Sequence, residues 1–213
     1  MQSETKTRLL DATELLLAEY GPTGASLRSI ADAASVNLAA VNYHFGSKES
    51  LIHAVFARRL GPVNERRLAM LDAVLFANPE NPDLRGILRA LVLPILETAF
   101  LPPSESNPVQ LGALMIRFYT EPAKVVERGF NEQMARTANR FVEAIHKALP
   151  YLDPKTLHWR THFCVGCIVH TMHGRNILAA LSQGTVISDN AEKALEQMIP
   201  FLEAGLRAGV THE

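Results

Sequence analysis

The sequence predicts an all-α protein of about nine helices, and three observations support this fold class. Apolar residues recur at helical spacing along almost the whole chain of 213 residues, whereas the period-two alternation typical of strands is essentially missing. Turn-rich segments, such as NPENP at 78–82 and LPPSESNP at 101–108, separate the helical stretches. A hydrophobic share of 47% is sufficient for one large domain or two small ones.

The first four helices are predicted from caps and helix breakers. A first helix is expected over about 4–20, because Gly21-Pro22 ends it. Side chains that can cap a helix N-terminus precede the second, third and fourth helices, at Ser26, Asn37 and Ser47. Gly46 is expected to stop the third helix, and the fourth then begins at Lys48. Short, closely spaced helices with a capped turn between them are the pattern of a helix-turn-helix.

The fourth helix is predicted to be long and to contain Gly61-Pro62, which should bend or interrupt it. This position is a natural hinge between a small N-terminal unit and the rest of the chain. We also expect one domain at 1–50, which contains the helix-turn-helix, and a second at 51–213. Proline and glycine signals delimit five further helices, near 84–100, 108–119, 123–148, 155–182 and 190–208.

Composition restricts the location of the protein but does not point to a nucleic acid. The net charge is -1, and basic and acidic residues balance within the first 60 positions. No apolar run is long enough to cross a bilayer, and the N-terminal stretch lacks a signal-peptide pattern. Two cysteines, Cys164 and Cys167, are too few for a disulfide framework. We expect a cytoplasmic protein with no membrane partner.

The third helix has an unusual face. At 100° per residue, Leu38, Val41 and Phe45 share the side expected to pack on the first two helices. The opposite side is uncharged and carries small, amide and aromatic side chains: Ala39, Ala40, Asn42, Tyr43 and His44. Small residues allow close approach to base edges in the major groove, and an asparagine can bond adenine bidentately. The alternative is an ordinary aromatic patch that packs one helical hairpin onto another.

The segment IADAASVNLAAVNYHFGSKESLIHAVF, residues 30–56, resembles the helix-turn-helix signature of the TetR family of bacterial regulators. The resemblance implies phosphate contacts by Tyr43, His44 and Lys48, and a backbone contact by Ser26. It also implies that five residues face the groove: Arg28, Asn37, Ala39, Ala40 and Asn42. Lys48 has an independent rationale, because it lies at the positive N-terminal end of a helix. Ser35 and Ala39 replace glycines that are common in the family.

The last two predicted helices are expected to form a dimer. Small residues spaced i, i+4, i+7 at Cys167, Thr171 and Gly174 permit close helix approach, and TetR-like proteins dimerise through a four-helix interface. We also assign Leu195, Met198, Phe201 and Leu202 to this interface, the alternative being packing inside one subunit. Two-fold symmetry would place the recognition helices roughly 34 Å apart, over a palindromic operator.

The histidines and cysteines of the 155–182 segment do not predict a metal site. His158 and His162 are i, i+4 neighbours, but His173 lies about 16 Å further along the helix axis. Cys164 and Cys167 form a C-x-x-C inside an apolar helix, where the usual reason for thiolate activation is missing. We expect buried, inert thiols and no metal or cofactor, with redox sensing or metal binding as alternatives.

The middle helices are expected to line a pocket for a small apolar effector. The predicted lining residues are Leu91, Ile95, Leu114, Arg117, Phe118, Met134 and Phe163. Arg117 stands within an apolar run, so it either forms a structural ion pair or anchors a ligand carboxylate. Three segments resemble the PsrA-like subgroup of the TetR family: VNLAAVNYHFGSKESLIHAVFARRLGP, HWRTHFCVGCIVHTMHG and MIPFLEAGLRA. The resemblance implies a long-chain fatty acid or acyl-CoA effector.

The function predicted from these features is that of a homodimeric regulator, a repressor, that binds double-stranded operator DNA and is released by its effector. It is not expected to be an enzyme, because no G-x-S-x-G elbow, phosphate loop or H-E-x-x-H motif occurs. A lipid-carrying helical protein and an acyl-thioester enzyme are the alternative functions.

Overall fold

A computed structural model describes the backbone of residues 2–102, 109–120, 124–188 and 190–209, and the side chains of these residues except 2–3, 117–120, 124–134 and 175–176. The described residues form helices and no strand, which confirms the all-α class. The ten helices are Gln2–Gly24 (α1), Leu27–Ala33 (α2), Leu38–Phe45 (α3), Lys48–Ala77 (α4), Leu84–Phe100 (α5), Leu111–Thr120 (α6), Lys124–Ala148 (α7), Pro154–His173 (α8), Arg175–Leu181 (α9) and Ala191–Arg207 (α10). None of the helices in these ranges is long and apolar enough to cross a membrane.

The chain divides into two compact units. The first comprises Met1–Pro62 and Pro102–Ala135, and the second comprises Val63–Leu101 and Arg136–Glu213. In the first unit α1 packs against α2, α3 and α6, and in the second α10 packs against α5 and α8. This division by compactness does not test the boundary expected at residue 50 between a DNA-binding and a ligand-binding domain, which stays a prediction.

The caps predicted for α2, α3 and α4 are confirmed. The Ser26 hydroxyl accepts a hydrogen bond from the Ser29 amide at 3.0 Å, and Asn37 Oδ1 accepts one from the Ala40 amide at 2.8 Å. The Ser47 hydroxyl accepts one from the Ser50 amide at 3.1 Å. These bonds satisfy amides that have no partner within the helix, so α2, α3 and α4 begin where the sequence predicts them.

The positions at which the helices break agree with the sequence prediction only in part. The predicted helix over 155–182 divides at Gly174 into α8 and α9, because the Gly174 ψ angle of 15° departs from helical geometry. A Cβ at this position would lie 2.7 Å from the His170 carbonyl oxygen, so the turn requires glycine. Of the bend or interruption expected at Gly61-Pro62, an interruption does not occur, because α4 runs from Lys48 to Ala77 with Pro62 inside it. The break expected at the end of α1 is present, since Gly21 has φ 70° and ψ 175°.

The second unit is organised around α5, most of whose residues are buried. One face of α10 supplies Leu195, Met198, Leu202 and Leu206 to the same core, at the three- and four-residue spacing of an amphipathic helix. Because apolar burial is the dominant favourable term in folding, this packing defines the second unit. It also decides which face of α10 remains at the surface.

Candidate nucleic-acid interface

The turn between α2 and α3 is tight and strained at one residue. Ser35 adopts φ 51°, in the left-handed region that favours glycine. The Ser35 amide donates to the Asp32 carbonyl at 3.0 Å and the Val36 amide donates to the Ala31 carbonyl at 2.9 Å. Serine thus occupies a backbone conformation that a glycine would adopt without steric cost, and local hydrogen bonds hold it there.

The inward face of α3 is centred on Val41, which is fully buried. Phe45 is half-buried, whereas Leu38 is 41% exposed and does not pack into the core as expected. The reason is angular: at 100° per residue, Leu38 and Phe45 both lie roughly 40–60° to the same side of Val41. They therefore stand at the edge of the buried stripe, and Leu38, in the first turn of the helix, remains at the surface.

The outward face of α3 is open, as its pattern predicts. Ala39, Asn42 and Tyr43 are exposed, and Ala40 and His44 are half-buried. The Tyr43 side chain is 75% exposed and meets the His44 ring edge-on, with the ring centroids 5.2 Å apart. An exposure this high is incompatible with the alternative in which Tyr43 packs one hairpin onto another inside the subunit. The phenol, amide and imidazole groups are therefore accessible to a partner.

The remaining predicted contact residues lie around this face. Arg28 on α2 is exposed, and Lys48, the first residue of α4, is half-buried. Asn37 is exposed, but its side-chain oxygen is used by the cap, so its amide nitrogen is the group that can reach a base. Ser26 bonds Ser29 in a reciprocal capping box. The structure thus brings the predicted contact residues of α2, α3 and the start of α4 into one unit.

A buried ion network that the sequence analysis missed fixes α1 against α4. The Glu14 side chain is 4% exposed and pairs with Arg58 at 2.7 Å and Arg59 at 3.0 Å. Arg58 also bonds Asp11 at 2.6 Å, and Arg59 donates to the Val109 carbonyl at 2.8 Å. Burial lowers the pKa of Arg58, but its bonds to Glu14 and Asp11 outweigh that effect and raise it above the ordinary value. The available signal was an acidic residue within the apolar stripe of the first helix.

The predicted pocket residues are only partly described. Leu91 and Ile95 are buried on α5 in the second unit, and Leu114 is buried on α6 in the first. The side chains of Arg117, Phe118 and Met134 lie outside the described residues. A missed polar residue stands beside Leu91, since buried Arg67 donates through Nε to the Leu91 carbonyl at 2.6 Å.

Phe163, predicted to line the pocket, lies at the surface of α8. Its side chain is 60% exposed on α8 and stacks on Trp159, with the ring centroids 5.8 Å apart. Both rings lie on a different face of α8 from buried Leu157, Cys164 and Ile168. This placement differs from the expectation of a ligand-lining residue and gives α8 an exposed aromatic surface.

The residues assigned to the dimer interface fall into two groups. Leu195, Met198 and Leu202 are buried within their own subunit by packing on α5 and α8, which differs from the expected position facing a second copy. Phe201 is 68% exposed on the other side of α10. On α8, Cys167 and Thr171 are half-buried, with the Thr171 hydroxyl bonded to the Cys167 carbonyl, and Gly174 is buried at the helix end.

The thiols and histidines of α8 show no activated arrangement. Cys164 is buried, and burial is the main cause that raises its pKa to about 12. Both cysteines are free thiols. His158 contacts the Pro154 carbonyl through Nδ1 at 2.6 Å, and His162 meets Trp159 edge-on. Within the described ranges, no group of three or more His, Cys, Asp or Glu side chains could hold a metal ion.

An exposed, uncharged helix face behind a capped turn defines the chain as a helix-turn-helix protein. Residues 9–55 match the family of bacterial regulatory proteins called the tetR family, and residues 89–205 match the tetracyclin repressor-like C-terminal domain. The chain therefore belongs to the TetR family, whose members are DNA-binding transcriptional regulators rather than enzymes. This confirms the family that the 30–56 segment predicts.

Individual relatives agree with this assignment. The chain is 29% identical over 149 residues to the HTH-type transcriptional regulator SrpR of Pseudomonas putida; the match covers 68% of the chain but 60% of SrpR. A transcriptional regulator of Pseudomonas aeruginosa PAO1 has a TM-score of 0.61 at 18% identity, covering 96% of this chain and 90% of that one. The hemolysin II transcriptional regulator HlyIIR has a TM-score of 0.60 at 19% identity, covering 92% and 98%. These structural likenesses show the fold.

Proposed function

We propose that the protein is a ligand-responsive repressor that binds a palindromic operator as a homodimer in the cytoplasm. The observation that carries the proposal is the outward face of α3, on which Tyr43 is 75% exposed and no charged residue occurs. An uncharged face of this kind fits a major groove, where base edges are read by small and amide side chains. A solvated helix surface without a partner would more commonly be charged.

The contacts on DNA divide into two kinds. Tyr43, His44 and Lys48 bind phosphates and fix the register of α3, with the hydroxyl of Ser26 as a further backbone contact. Ala39, Ala40 and Asn42, flanked by Arg28 and Asn37, face the bases. This division is supported by the half-buried position of Lys48 at the N-terminus of α4, where the helix end itself favours an anion. Because few cations take part, two subunits are needed for useful affinity.

The homodimer forms through the exposed aromatic surface of α8 and the outer face of α10. Trp159 and Phe163 stack on each other while 55% and 60% exposed, and Phe201 projects from α10. Large aromatic residues are the side chains that most often dominate the binding energy of protein interfaces. Leu195, Met198 and Leu202 then support the interface from inside the subunit, and Cys167, Thr171 and Gly174 flank it.

The effector is a small apolar molecule of the long-chain fatty acid or acyl-CoA class. Two features support this proposal: the resemblance of the α8 and α10 segments to the PsrA-like subgroup, and the apolar surroundings of Leu91 and Ile95. Native mass spectrometry of the purified protein would detect a co-purified acyl chain. Addition of an acyl-CoA to the DNA complex should release the duplex, whereas coenzyme A alone should not. Retention of the duplex with every acyl-CoA tested would contradict this effector class.

Selection of duplexes from a random-sequence pool of double-stranded DNA tests the central claim. The purified protein should recover a palindromic sequence with half-sites about one helical turn apart. We expect Tyr43→Ala to weaken binding to that duplex roughly tenfold at fixed salt, because a phosphate contact of each subunit is lost. Fluorescence anisotropy with the labelled duplex measures the change.

Tyr151→Ala is the matched control, because Tyr151 is similarly exposed but lies in the second unit. It should bind the duplex as the unmodified protein does. If no sequence is enriched, or if both tyrosine variants lose affinity equally, DNA recognition by α3 is refuted.

A further inference from the structure

Arg8 of α1 reaches the turn that precedes the recognition helix. Its guanidinium Nη2 donates to the Ala34 carbonyl at 2.5 Å and to the Ser35 carbonyl at 2.9 Å. Both bonds span more than 25 residues of sequence, so they tie α1 to the turn between α2 and α3. Ser35 is the residue with φ 51°, which is unfavourable for any side chain with a Cβ.

A second basic residue of α1 contacts the other end of the recognition helix. Lys6 Nζ lies 6.0 Å from the centroid of the Phe45 ring, in the position of a cation–π contact. The N-terminal part of α1 therefore contacts both the turn before α3 and the last residue of α3. Two such contacts, one at each end of the helix, restrict how α3 can shift or tilt on α1.

We propose that Arg8 is a positioning residue for DNA recognition, which acts by holding the left-handed turn at Ser35 so that α3 keeps its DNA-competent orientation. Where the family commonly has glycine, this chain has a residue that resists that conformation. The two hydrogen bonds from Arg8 offset the steric cost of this backbone conformation at Ser35. Without them the turn relaxes, and only a fraction of molecules presents α3 correctly. Apparent affinity falls by that fraction. The inference rests on the proposed DNA-binding function.

The test uses four proteins: the unmodified chain, Arg8→Ala, Ser35→Gly and the double variant. Affinity is measured by anisotropy with the duplex that the unmodified protein selects, over a series of salt concentrations. Arg8→Ala should bind at least about tenfold more weakly, because both charge-assisted hydrogen bonds to the turn are lost. Its salt dependence should be unchanged, because Arg8 acts through carbonyl oxygens rather than phosphates.

Ser35→Gly supplies the rescue. Glycine adopts the left-handed turn without steric cost, so the double variant should recover affinity to within about threefold of the unmodified protein. Arg66→Ala, which removes an exposed arginine of the second unit, is the control for loss of charge and should bind normally. A rescue by glycine would not occur if Arg8 contributed only its charge.

Amide hydrogen exchange of residues 38–46 gives a readout that needs no DNA. Exchange should be faster in Arg8→Ala and return toward the unmodified rate in the double variant, with the melting temperature of the whole protein nearly unchanged. Unchanged exchange in Arg8→Ala would overturn the proposal even if the protein bound no DNA.

Three results with DNA would also overturn it. The first is unaltered affinity of Arg8→Ala. The second is a salt slope reduced by about one per subunit without rescue by Ser35→Gly, which would make Arg8 a phosphate contact. The third is a loss of affinity that only follows a lowered melting temperature, which would make Arg8 a general stabilising residue. Failure of the unmodified protein to select any duplex would instead refute the proposed function.

Discussion

The first unit buries a carboxylate between helices, whereas the second keeps its described ion pairs at the surface. Glu14 is buried between α1 and α4 with two arginines. The described pairs of the second unit each have at least one exposed partner: Arg66–Glu97, Arg85–Glu203, Arg89–Glu192, Arg140–Asp72 and Arg207–Glu203. Removing one partner of the buried network leaves charge inside the protein, whereas solvent screens the surface pairs of the second unit.

The same contrast extends to what each unit exposes. On α3 the outward residues are small or polar, as a surface that meets base edges requires. On α8 the outward residues include a stacked tryptophan and phenylalanine, a surface that suits another protein chain. The exposure of Tyr43 therefore indicates contact with DNA, and that of Phe163 indicates contact with a second protein chain. Substitutions in the two units should distinguish these two roles.

The largest expected effect is on the buried network. Glu14→Gln keeps the shape of the side chain but removes the buried negative charge that Arg58 and Arg59 share. We expect the free energy of unfolding to fall by about 3 kcal/mol, the lower end for a broken buried pair, because Arg58 is partly exposed. Urea denaturation followed by circular dichroism measures the loss.

Glu97→Gln is the control for that comparison, because it removes a carboxylate that pairs with exposed Arg66. Its effect should stay below about 1 kcal/mol, as for other surface pairs. Equal losses for the two variants would show that burial of the Glu14 pairs does not make them stronger than the surface pairs of the second unit.

The next effect concerns the aromatic surface of α8. Phe163→Glu places a charge in the proposed interface, and the dimer dissociation constant should rise at least about a hundredfold, the change typical of a hot-spot residue. Operator affinity should fall with it, because a monomer contacts one half-site only. Sedimentation equilibrium measures the first change and anisotropy the second.

Phe76→Glu is the matched control, since Phe76 is 89% exposed on α4, away from the α8 surface in sequence. It should leave the dimer intact. A monomeric unmodified protein, or a dimer unaffected by Phe163→Glu, would contradict the role given to α8.

Helix caps, which involve residues close in sequence, could be predicted from the sequence. Side-chain pairs between residues distant in sequence could not. The caps at Ser26, Asn37 and Ser47 depend on residues three positions away, so their spacing alone reveals them. The bond between Glu14 and Arg58 spans 44 residues, and no periodic signal links its partners. Acidic residues are usually solvated, which is why Glu14 was overlooked.

The exposure of Phe163 shows a second limit of prediction from sequence. Apolar residues occupy both faces of α8, so periodicity identifies a helix but does not indicate which face is the inner one. The buried face was decided by packing on α5 and α10. For α10 the periodicity of Leu195, Met198 and Leu202 was clear, but whether they pack within one subunit or against a second depended on the same neighbours.

The smallest expected effect is a pH dependence at the surface of the second unit. A hydrogen bond from Arg85 at 2.6 Å, with a second from Arg207 at 3.1 Å, holds the pKa of Glu203 below its ordinary value. A carboxyl whose pKa is lowered by folding adds stability above its ordinary pKa, and this stability is lost as the pH falls through the folded-state pKa. The melting temperature of the unmodified protein should therefore drop slightly more than that of Glu203→Gln between pH 7 and pH 3. Since solvent screens the pair, the corresponding difference in the free energy of unfolding should be below about 1 kcal/mol, and it should shrink in 0.5 M salt. A difference of several kcal/mol in the free energy of unfolding would mean that Glu203 behaves like the buried Glu14. The distinction between the two units would then no longer hold.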